Sequence, residues 1–405
     1  RKDKGRRGFF EVFPEDHLKK KSRASVRLGI AGVGNMGGYH ARQVLAGAVP
    51  GCVLAAVCDT DAAKMAAYPD ADHFVDSSGM IRSGKIDAIL IATPHYSHTP
   101  IGIEALRAGL HVLVEKPISV HKADAEKLIA AHRSKKQVFA AMFNQRTDPF
   151  FQKIRSLVKG GELGEILRVQ WTITDWFRSQ AYYDSGGWRA TWAGEGGGVM
   201  LNQCVHNIDL FQWIFGMPSK VRALCCFGRH HAIEVEDDVS AIFEFSNGAT
   251  GVLVTSTGEA PGVNRLEISG DLGRLTCEQR KLSFVRNETG AAEYLRTTKE
   301  GYLPPATWRV EIPVAGESGN QHLKILVNFI RAILHGDELI APAEEGLNSL
   351  ELINGIQLAS FKDRTVEFPV SAPQYAAFLR DRIAGSAPGK KPVPYRGAPG
   401  NYLTL

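Results

Sequence analysis

Short apolar runs alternate with helical segments along the first third of the chain. The runs are VRLGIAGVG (26–34), CVLAAVCD (52–59), IDAILIATP (86–94), HVLVEKP (111–117) and QVFAAMFN (137–144). Continuous apolar strands separated by helices indicate a parallel sheet that is covered on both faces. Because crossovers between parallel strands are right-handed, residues 26–147 are predicted to form a doubly wound α/β domain of the Rossmann type.

From about residue 148 the pattern changes to alternating strands that are joined by turns. EILRVQWTITDWF (165–177) alternates like a half-exposed strand, and hairpins are predicted over 238–257 and 265–278. Helices are predicted over 150–161, 321–336 and 344–361. This pattern predicts an α+β domain with a mostly antiparallel sheet over 148–365, followed by an irregular tail over 366–405.

Charge is concentrated at the start of the chain. The net charge is +5, but residues 1–27 alone contain ten Lys or Arg and four Asp or Glu residues. The remaining residues are nearly balanced in charge, so nucleic acid is not an expected partner. Residues 1–25 are predicted to be a basic, flexible arm.

Several features of the sequence favour a cytoplasmic protein that has no membrane-spanning segment and binds no metal ion. GRRGFFEVF resembles the start of a twin-arginine export signal, but PEDHLKKKSR follows in place of an apolar region. No run reaches the roughly 18 apolar residues that a membrane span needs. The six cysteines show no metal-binding spacing and are expected to be free thiols, and neither His95-x-x-His98 nor His230-His231 has a matching set of ligands.

A glycine motif predicts a dinucleotide site at the end of the first strand. Gly32, Gly34 and Gly37 form G-x-G-x-x-G, in which they permit a tight turn, close approach of a pyrophosphate and close helix packing. Asp59 ends the second strand, where a carboxylate accepts hydrogen bonds from a ribose diol and repels a 2′-phosphate. The expected cofactor is therefore NAD rather than NADP, although Asp59 could also be a simple turn residue.

Charged and polar residues follow two other strands at the edge where such sheets bind ligands. Glu115 and Lys116 end the run at 111–117, and Thr93 and Pro94 end the run at 86–94. Lys116 would then lie near the nicotinamide, unless it is a surface lysine at the exit of a strand.

A polar stripe is predicted on an otherwise apolar helix over 199–215. At about 100° per residue, Asn202, His206 and Asp209 fall within an arc of about 60°. A buried helix must satisfy such a stripe, either by an internal hydrogen-bond network or as the wall of a site. The second interpretation adds a preceding loop whose rings and planar donors suit a carbohydrate: Trp176, Arg178, Tyr182, Tyr183, Trp188 and Arg189.

The chain resembles the Gfo/Idh/MocA family of sugar and inositol oxidoreductases over residues 26–363. The matching pieces are GIAGVGNMG, ATPHYSH, VLVEKPIS, GELGEILRV and GGGVMLNQCVHNIDL. The resemblance implies a Rossmann domain followed by a domain with a large open sheet that often mediates oligomers, here a homodimer or homotetramer. It also implies that Lys116 and His206 lie where the nicotinamide meets the sugar. Further residues expected at the cofactor are Asn35, Met36, His95, His98 and Asn144.

Two positions depart from the family pattern. Asn202 occupies the position of the usual acid four residues before the histidine, and His95 stands where an asparagine is common. An amide orients a hydroxyl but does not exchange a proton at neutral pH, so Lys116 and His206 would have to carry the proton transfer. Asn202 is therefore expected to be a catalytic residue that orients the substrate hydroxyl but does not exchange its proton.

The expected function is NAD-dependent oxidation of a secondary hydroxyl of a sugar, glycoside or cyclitol. The alternative is a glycosidase or lyase that retains NAD and acts through a transient keto-sugar without net redox change. A non-enzymatic protein that senses a dinucleotide or ligand is a further, minor alternative.

Overall fold

The computed structural model describes residues 25–386 of the chain, and these residues build two sheets. The first sheet has the strand order β3-β2-β1-β4-β5-β6, and its neighbouring strands are parallel. Its strands are β1 (Val26–Ala31), β2 (Cys52–Cys58), β3 (Asp72–Phe74), β4 (Ala88–Ile91), β5 (His111–Val114) and β6 (Phe139–Ala141). Its helices are α1 (Asn35–Leu45), α2 (Ala62–Met65), α3 (Ser77–Arg82), α4 (His95–Arg107) and α5 (Lys122–Ala131).

This first sheet confirms the predicted doubly wound domain. The central strands are buried along most of their length, as expected for strands that are covered by helices on both faces. Strand β3 was not predicted, because its three residues, Asp-His-Phe, form no apolar run.

The second sheet has nine strands in the order β14-β13-β12-β11-β7-β10-β9-β8-β15. Strands β7 and β10 are parallel, and the other neighbouring pairs are antiparallel, which confirms the predicted sheet type. The strands are β7 (Ile166–Ile173), β8 (Lys220–Phe227), β9 (Glu236–Glu244), β10 (Thr250–Ser256), β11 (Asn264–Gly270), β12 (Gly273–Glu278), β13 (Lys281–Asn287), β14 (Thr307–Glu311) and β15 (Val366–Glu367).

The helices of the second half are α6 (Pro149–Lys159), α7 (Gln180–Asp184), α8 (Val205–Phe215), α9 (Ala291–Thr297), α10 (Gln321–His335), α11 (Gly346–Phe361) and α12 (Ala372–Ala384). Short 3-10 helices cover Asn144–Thr147 and Ala343–Glu345. Helix α10 returns to pack against β1 and β5, and α11 packs against α8, β8 and α5. The two sheets are thereby joined through shared helices.

The prediction of an irregular tail over 366–405 is wrong for its first part. Residues 366–384 contain β15, which pairs with β8, and α12, which packs on α5. Ser371 caps α12 by accepting a hydrogen bond from the Gln374 backbone N–H, and Tyr375 and Leu379, four residues apart, are buried. The short apolar face of this helix was hidden among the surrounding Pro and Gly residues. Residues 1–24 of the predicted arm and residues 387–405 of the predicted tail lie outside the described residues.

None of the helices within residues 25–386 combines the length and the apolar character that are needed to cross a bilayer.

Candidate active site

The glycine motif forms a tight turn between β1 and α1. Gly32 has a φ of 85°, and a Cβ atom there would lie 2.6 Å from the Ala92 carbonyl oxygen. A Cβ on Gly37 would lie 1.8 Å from the Gly32 carbonyl oxygen, so only glycine lets α1 approach the turn. By contrast, a Cβ on Gly34 would meet nothing within 4 Å. The turn therefore leaves open space at the N-terminus of α1, where Asn35 and Met36 begin the helix and where a pyrophosphate fits.

Asp59 follows β2 and faces this turn. Its Oδ2 accepts a hydrogen bond from the Val33 backbone N–H at 3.0 Å, and its Oδ1 accepts one from the Asp61 N–H at 2.9 Å. Lys64 Nζ lies 3.4 Å from the same Oδ1. The carboxylate is thus held beside the glycine turn by its hydrogen bond from the Val33 N–H.

Other residues predicted for the cofactor line the same edge of the sheet. Thr93 Oγ1 and Asn144 Oδ1 are buried, and neither atom has a hydrogen-bond partner among the described residues. Pro94 precedes α4 as its N-terminal cap residue. The His98 ring nitrogens lie 2.7 Å from the Pro117 oxygen and 2.8 Å from the Thr93 oxygen, so this ring ties the end of β4 to the segment after β5. Unpartnered oxygens and open space beside the glycine turn fit the binding of NAD.

Lys116 leaves the end of β5 and reaches across to the second half of the chain. The preceding Glu115 is buried and lies 2.8 Å from His40 Nε2. Burial acts to raise the pKa of the Glu115 carboxyl, but the hydrogen bond with His40 and the positive charge of Lys116 act in the opposite direction, and the pKa is lowered. The peptide bond between Lys116 and Pro117 is cis. Two charged residues can therefore follow a buried strand. Glu115 is paired with His40 in the interior, and Lys116 extends toward Asn202 in the candidate site.

The Lys116 ammonium group is held by one residue of the opposite domain. Nζ donates to the Asn202 backbone oxygen at 2.9 Å and to Asn202 Oδ1 at 3.3 Å. Burial lowers the pKa of Lys116 to about 8, against the opposing effect of the Glu115 and Glu195 carboxylates. A lysine of this kind is partly neutral near pH 8 and can accept a proton.

The predicted helix over 199–215 begins later than expected. Residues 199–204 form turns, and α8 begins at Val205. The reason lies in a long-range contact: a Cβ on Gly198 would lie 1.9 Å from the Glu236 backbone oxygen, and Val199 N–H donates to that oxygen at 2.9 Å. The Asn202 carbonyl consequently lies outside the helix and is able to accept the hydrogen bond from Lys116.

His206 lies in the first turn of α8 and is buried. Burial, followed by the positive charge of Lys116, lowers its pKa well below the usual value, so the ring is neutral near pH 7. His206 follows by four residues Asn202, whose backbone oxygen accepts the hydrogen bond from Lys116. Nδ1 of His206 has no hydrogen-bond partner in the part of the chain that the structure describes.

The site contains a carboxylate that was not predicted from the sequence. Asn202 Nδ2 donates a hydrogen bond to Glu195 Oε1, and the other oxygen of Glu195 accepts from the Ala190 N–H at 2.6 Å. Burial raises the pKa of Glu195, while Arg189 opposes that rise. His322 was also missed: its ring centroid lies 6.1 Å from that of His40, and burial lowers its pKa to about 4. The only local signal for Glu195 was its place before the glycine run 196–198.

The aromatic loop lies beside these groups. The Arg178 and Arg189 guanidinium carbons lie 5.1 Å and 4.8 Å from the centre of the Tyr182 ring, and Arg189 also donates to the Tyr182 hydroxyl at 2.9 Å. The positive charges of both arginines act to lower the pKa of Lys116. The Trp188 ring lies edge-on to His95, with centroids 5.6 Å apart. Trp176 Nε1 donates to Asn207 at 3.2 Å.

His95 is buried, with Nδ1 3.1 Å from the Glu195 backbone oxygen. Burial lowers its pKa well below the usual value. It therefore connects the start of α4 to the loop that carries Glu195.

Two residues predicted to bind substrate belong instead to the interior of the second domain. Both oxygens of the Asp209 carboxylate accept hydrogen bonds from Arg146 at 2.7 Å. The Tyr183 hydroxyl lies 2.9 Å from Thr257 Oγ1, and its buried ring packs against His231. The polar stripe is therefore divided: Asn202 contacts Lys116 and His206 keeps an Nδ1 that has no partner among the described residues, whereas Asp209 belongs to an internal network.

Two family models match the chain. The NAD-binding Rossmann domain of the GFO/IDH/MocA oxidoreductase family matches residues 26–143, and the C-terminal domain of that family matches residues 151–276. Together they cover more than half of the chain, and the first match confirms the NAD prediction.

Relatives and solved structures agree with these models. The inositol 2-dehydrogenase of Rhizobium meliloti is 26% identical over 336 residues, which are 81% of this chain and 94% of that protein. The WlbA dehydrogenase of Chromobacterium violaceum, crystallised with NADH and UDP-GlcNAcA, is 25% identical with a TM-score of 0.73, over 86% of this chain and 97% of that chain. A levoglucosan dehydrogenase in complex with NADH and levoglucosan shares the fold at 21% identity and a TM-score of 0.71, over 85% of this chain and 100% of that chain.

Proposed function

The chain belongs to the Gfo/Idh/MocA family of NAD-binding oxidoreductases, and from that premise we propose that it oxidises a secondary hydroxyl of a sugar, glycoside or cyclitol to a ketone. The alcohol and NAD⁺ give the ketone, NADH and one proton. Bound NAD supplies the hydride acceptor. The residues of this chain have to bind the sugar, orient the reacting carbon and remove the hydroxyl proton.

The observation that carries this proposal is the position of Lys116. Its Nζ lies at the ligand-binding edge of the first sheet, is anchored on Asn202 and has a pKa lowered to about 8. In the neutral form it accepts the hydroxyl proton as the carbon loses hydride. His206, which is also neutral, is the second member of the pair and accepts a hydrogen bond from the hydroxyl or passes the proton on.

The aromatic loop supports a carbohydrate as the substrate. The guanidinium groups of Arg178 and Arg189 both lie over the Tyr182 ring, and Arg189 also lies over the Trp188 ring. Rings pack against the apolar faces of a sugar, and guanidinium groups donate to several oxygens in fixed geometry. Gln203 Nε2, 3.3 Å from the Tyr182 hydroxyl, extends the same polar wall toward Asn202.

The experiment is a substrate panel. The purified protein is incubated with NAD⁺ and myo-inositol, free hexoses, methyl glycosides or levoglucosan, and both NADH absorbance and sugar products are followed. Stoichiometric formation of NADH and keto-sugar supports the proposal. Absence of any product across the panel, by a protein that binds NADH in calorimetry, contradicts it.

Asn202 favours one second candidate, a redox-neutral glycosidase or lyase that retains NAD. An amide in place of the family acid changes proton handling at the reacting hydroxyl. Such an enzyme oxidises the sugar transiently, eliminates a substituent and returns the hydride to the sugar. Product from a methyl glycoside without net NADH would favour this candidate over the dehydrogenase.

We further propose that the protein forms a homodimer or homotetramer through the outer face of the nine-stranded sheet. Leu167, Leu224 and Ile242 are exposed on that sheet although they are apolar. Light scattering of the wild type and of Ile242→Glu tests this, because the variant should dissociate if the face is the interface. Unchanged mass in the variant contradicts the assignment.

A cytoplasmic location is proposed from the six cysteines, which are all free. Free thiols persist in a reducing compartment. Fractionation of the native cells tests this assignment.

A further inference from the structure

Three side chains form a continuous hydrogen-bonded line through the site: Lys116, Asn202 and Glu195. The Asn202 amide turns its oxygen toward the Lys116 ammonium and its nitrogen toward the Glu195 carboxylate. Its dipole is thus aligned with a positive charge at one end and a negative charge at the other. Reversing the amide would place a donor against Nζ and an acceptor against the carboxylate, so the orientation follows from the partners.

We propose that Glu195 supplies the negative charge that the family acid would place at position 202, and that it positions and polarises Lys116 through the Asn202 amide. Glu195 is a positioning residue in this scheme, because it contacts Asn202 and not the reacting atoms. The proposal rests on the proposed function for its catalytic consequence, but the charge relationship itself is a property of the protein alone.

An amide does not carry protons along this line, so the role of Glu195 is electrostatic. A carboxylate near an ammonium group favours the protonated form of that group. The negative charge of Glu195 acts to raise the pKa of Lys116. It does so through its electric field and through the oriented amide of Asn202. Glu195 thereby offsets part of the lowering that burial causes.

The charged surroundings of Lys116 come from several elements. Glu115 and Glu195 favour its protonated form, and Arg178 and Arg189 oppose it. The neighbouring histidines, His95, His206 and His322, all have pKa values lowered by burial and are therefore neutral near pH 7. Glu115 pairs with His40, whereas Glu195 is the carboxylate that is linked to Lys116 through the Asn202 amide.

Glu195 also has a structural contact that the test must separate from its charge. Its second oxygen accepts the Ala190 N–H, where the chain has a φ of 54°. Loss of that contact would lower stability and overall activity, but would not move the pH at which Lys116 titrates. The pH midpoint is therefore the decisive quantity.

The first measurement is competitive labelling of Lys116 with acetic anhydride across a pH series, quantified on its peptide by mass spectrometry. Glu195→Gln should move the midpoint to lower pH by about one unit, because the ammonium loses a stabilising charge. Glu236→Gln is the matched control: Glu236 is also buried and accepts from the Gly198 N–H of the same turn, but it has no hydrogen bond to Asn202 or Lys116 among the described residues. It should leave the midpoint unchanged.

The second variant exchanges the two groups. Glu195→Gln combined with Asn202→Asp places the carboxylate next to Nζ and the amide behind it. This exchange should return the midpoint to the wild-type value or above. An unchanged midpoint in Glu195→Gln, an equal shift in Glu236→Gln, or a double variant that stays at the single-variant midpoint would each overturn the proposal.

Activity profiles extend the test to catalysis. With a substrate from the panel, the rise of kcat/KM with pH should move to lower pH in Glu195→Gln by the same amount as the labelling midpoint. If no sugar is oxidised, the proposed function fails while the labelling result still decides the role of Glu195. A labelling shift without any shift in the activity profile would show that Lys116 is not the base.

Discussion

Lys116 and Asn202, which are 86 residues apart, meet where the two halves of the chain face each other. Lys116 Nζ lies 2.9 Å from the Asn202 backbone oxygen and 3.3 Å from its side-chain oxygen. One residue comes from the end of a parallel strand and the other from a turn ahead of α8. The amino group is therefore fixed by both domains, and the proposed role of its neutral form as a proton acceptor needs such a defined position.

Lys116→Met should abolish oxidation while leaving NAD binding intact. Methionine keeps most of the length of the side chain but has no proton acceptor of suitable basicity, so kcat should fall by about 10² or more. NAD affinity, measured by calorimetry, should stay close to that of the wild type. The reason is that the glycine turn and Asp59 do not contact this side chain. A folded variant that keeps most of its kcat would show that Lys116 is an ordinary lysine at a strand exit.

The pH dependence of oxidation should follow the lowered pKa of Lys116. Below about pH 8 the group is mainly protonated and accepts no proton, so kcat/KM should fall as the pH decreases through that value. The measurement is a profile from pH 5 to 10 at limiting sugar. A flat profile between pH 6 and 9 would assign the base to another group.

Gly34→Ala should weaken NAD binding, whereas Gly37→Ala should lower the stability of the fold. At Gly34 a Cβ meets no atom within 4 Å, so the variant should fold normally but weaken NAD binding about tenfold or more, because the methyl group occupies the pyrophosphate space. At Gly37 the Cβ would meet a backbone oxygen at 1.8 Å, and overpacking of this kind costs about 1–3 kcal/mol or more. Thermal unfolding and calorimetry separate the two effects. Equal losses of stability in both variants would contradict this account of the turn.

Asp59→Asn should narrow the preference for NAD over NADP. The amide oxygen can still accept the hydrogen bond from the Val33 N–H, so the glycine turn should keep its shape, while the charge and the hydrogen bond from the Asp61 N–H are lost. Removing the repulsion of the 2′-phosphate should reduce the affinity ratio about tenfold. Binding of both cofactors is compared by calorimetry with wild type as the reference. A wild type that binds NAD and NADP equally would contradict the role of Asp59.

The sequence predicted the features of the molecule that depend on neighbouring residues. The parallel strands follow from continuous apolar runs, and the cofactor turn follows from Gly32, Gly34 and Gly37 within six positions. Strand β3 was missed because it relies on pairing with β2 rather than on its own composition.

The rest of the site depends on contacts between distant segments. Helix periodicity placed Asn202, His206 and Asp209 on one face, but the close packing of Gly198 against Glu236 delays the helix to Val205. Glu195 gains its role only because Asn202 turns toward it. No pattern within a short window of sequence contains these relationships.

Asp209→Ala should destabilise the protein far more than it alters the site. Its carboxylate forms two hydrogen bonds with Arg146, and the two side chains are 1% and 0% exposed. Removing one partner of a buried ion pair leaves an uncompensated charge, which lowers the free energy of unfolding by about 3–5 kcal/mol. Denaturant unfolding of the variant measures this loss.

Glu345→Ala provides the matched control for the same arginine. Glu345 also pairs with Arg146, but its side chain is 42% exposed, so water replaces much of the lost interaction. Arg146 keeps both of its hydrogen bonds to Asp209 in this variant, so the free energy of unfolding should fall by clearly less than in Asp209→Ala. In both variants, the folded fraction should keep its KM for the sugar, because neither carboxylate contacts Lys116, Asn202 or Glu195. A large rise in KM for Asp209→Ala, without the loss of stability, would return Asp209 to the substrate site that the sequence first predicted for it.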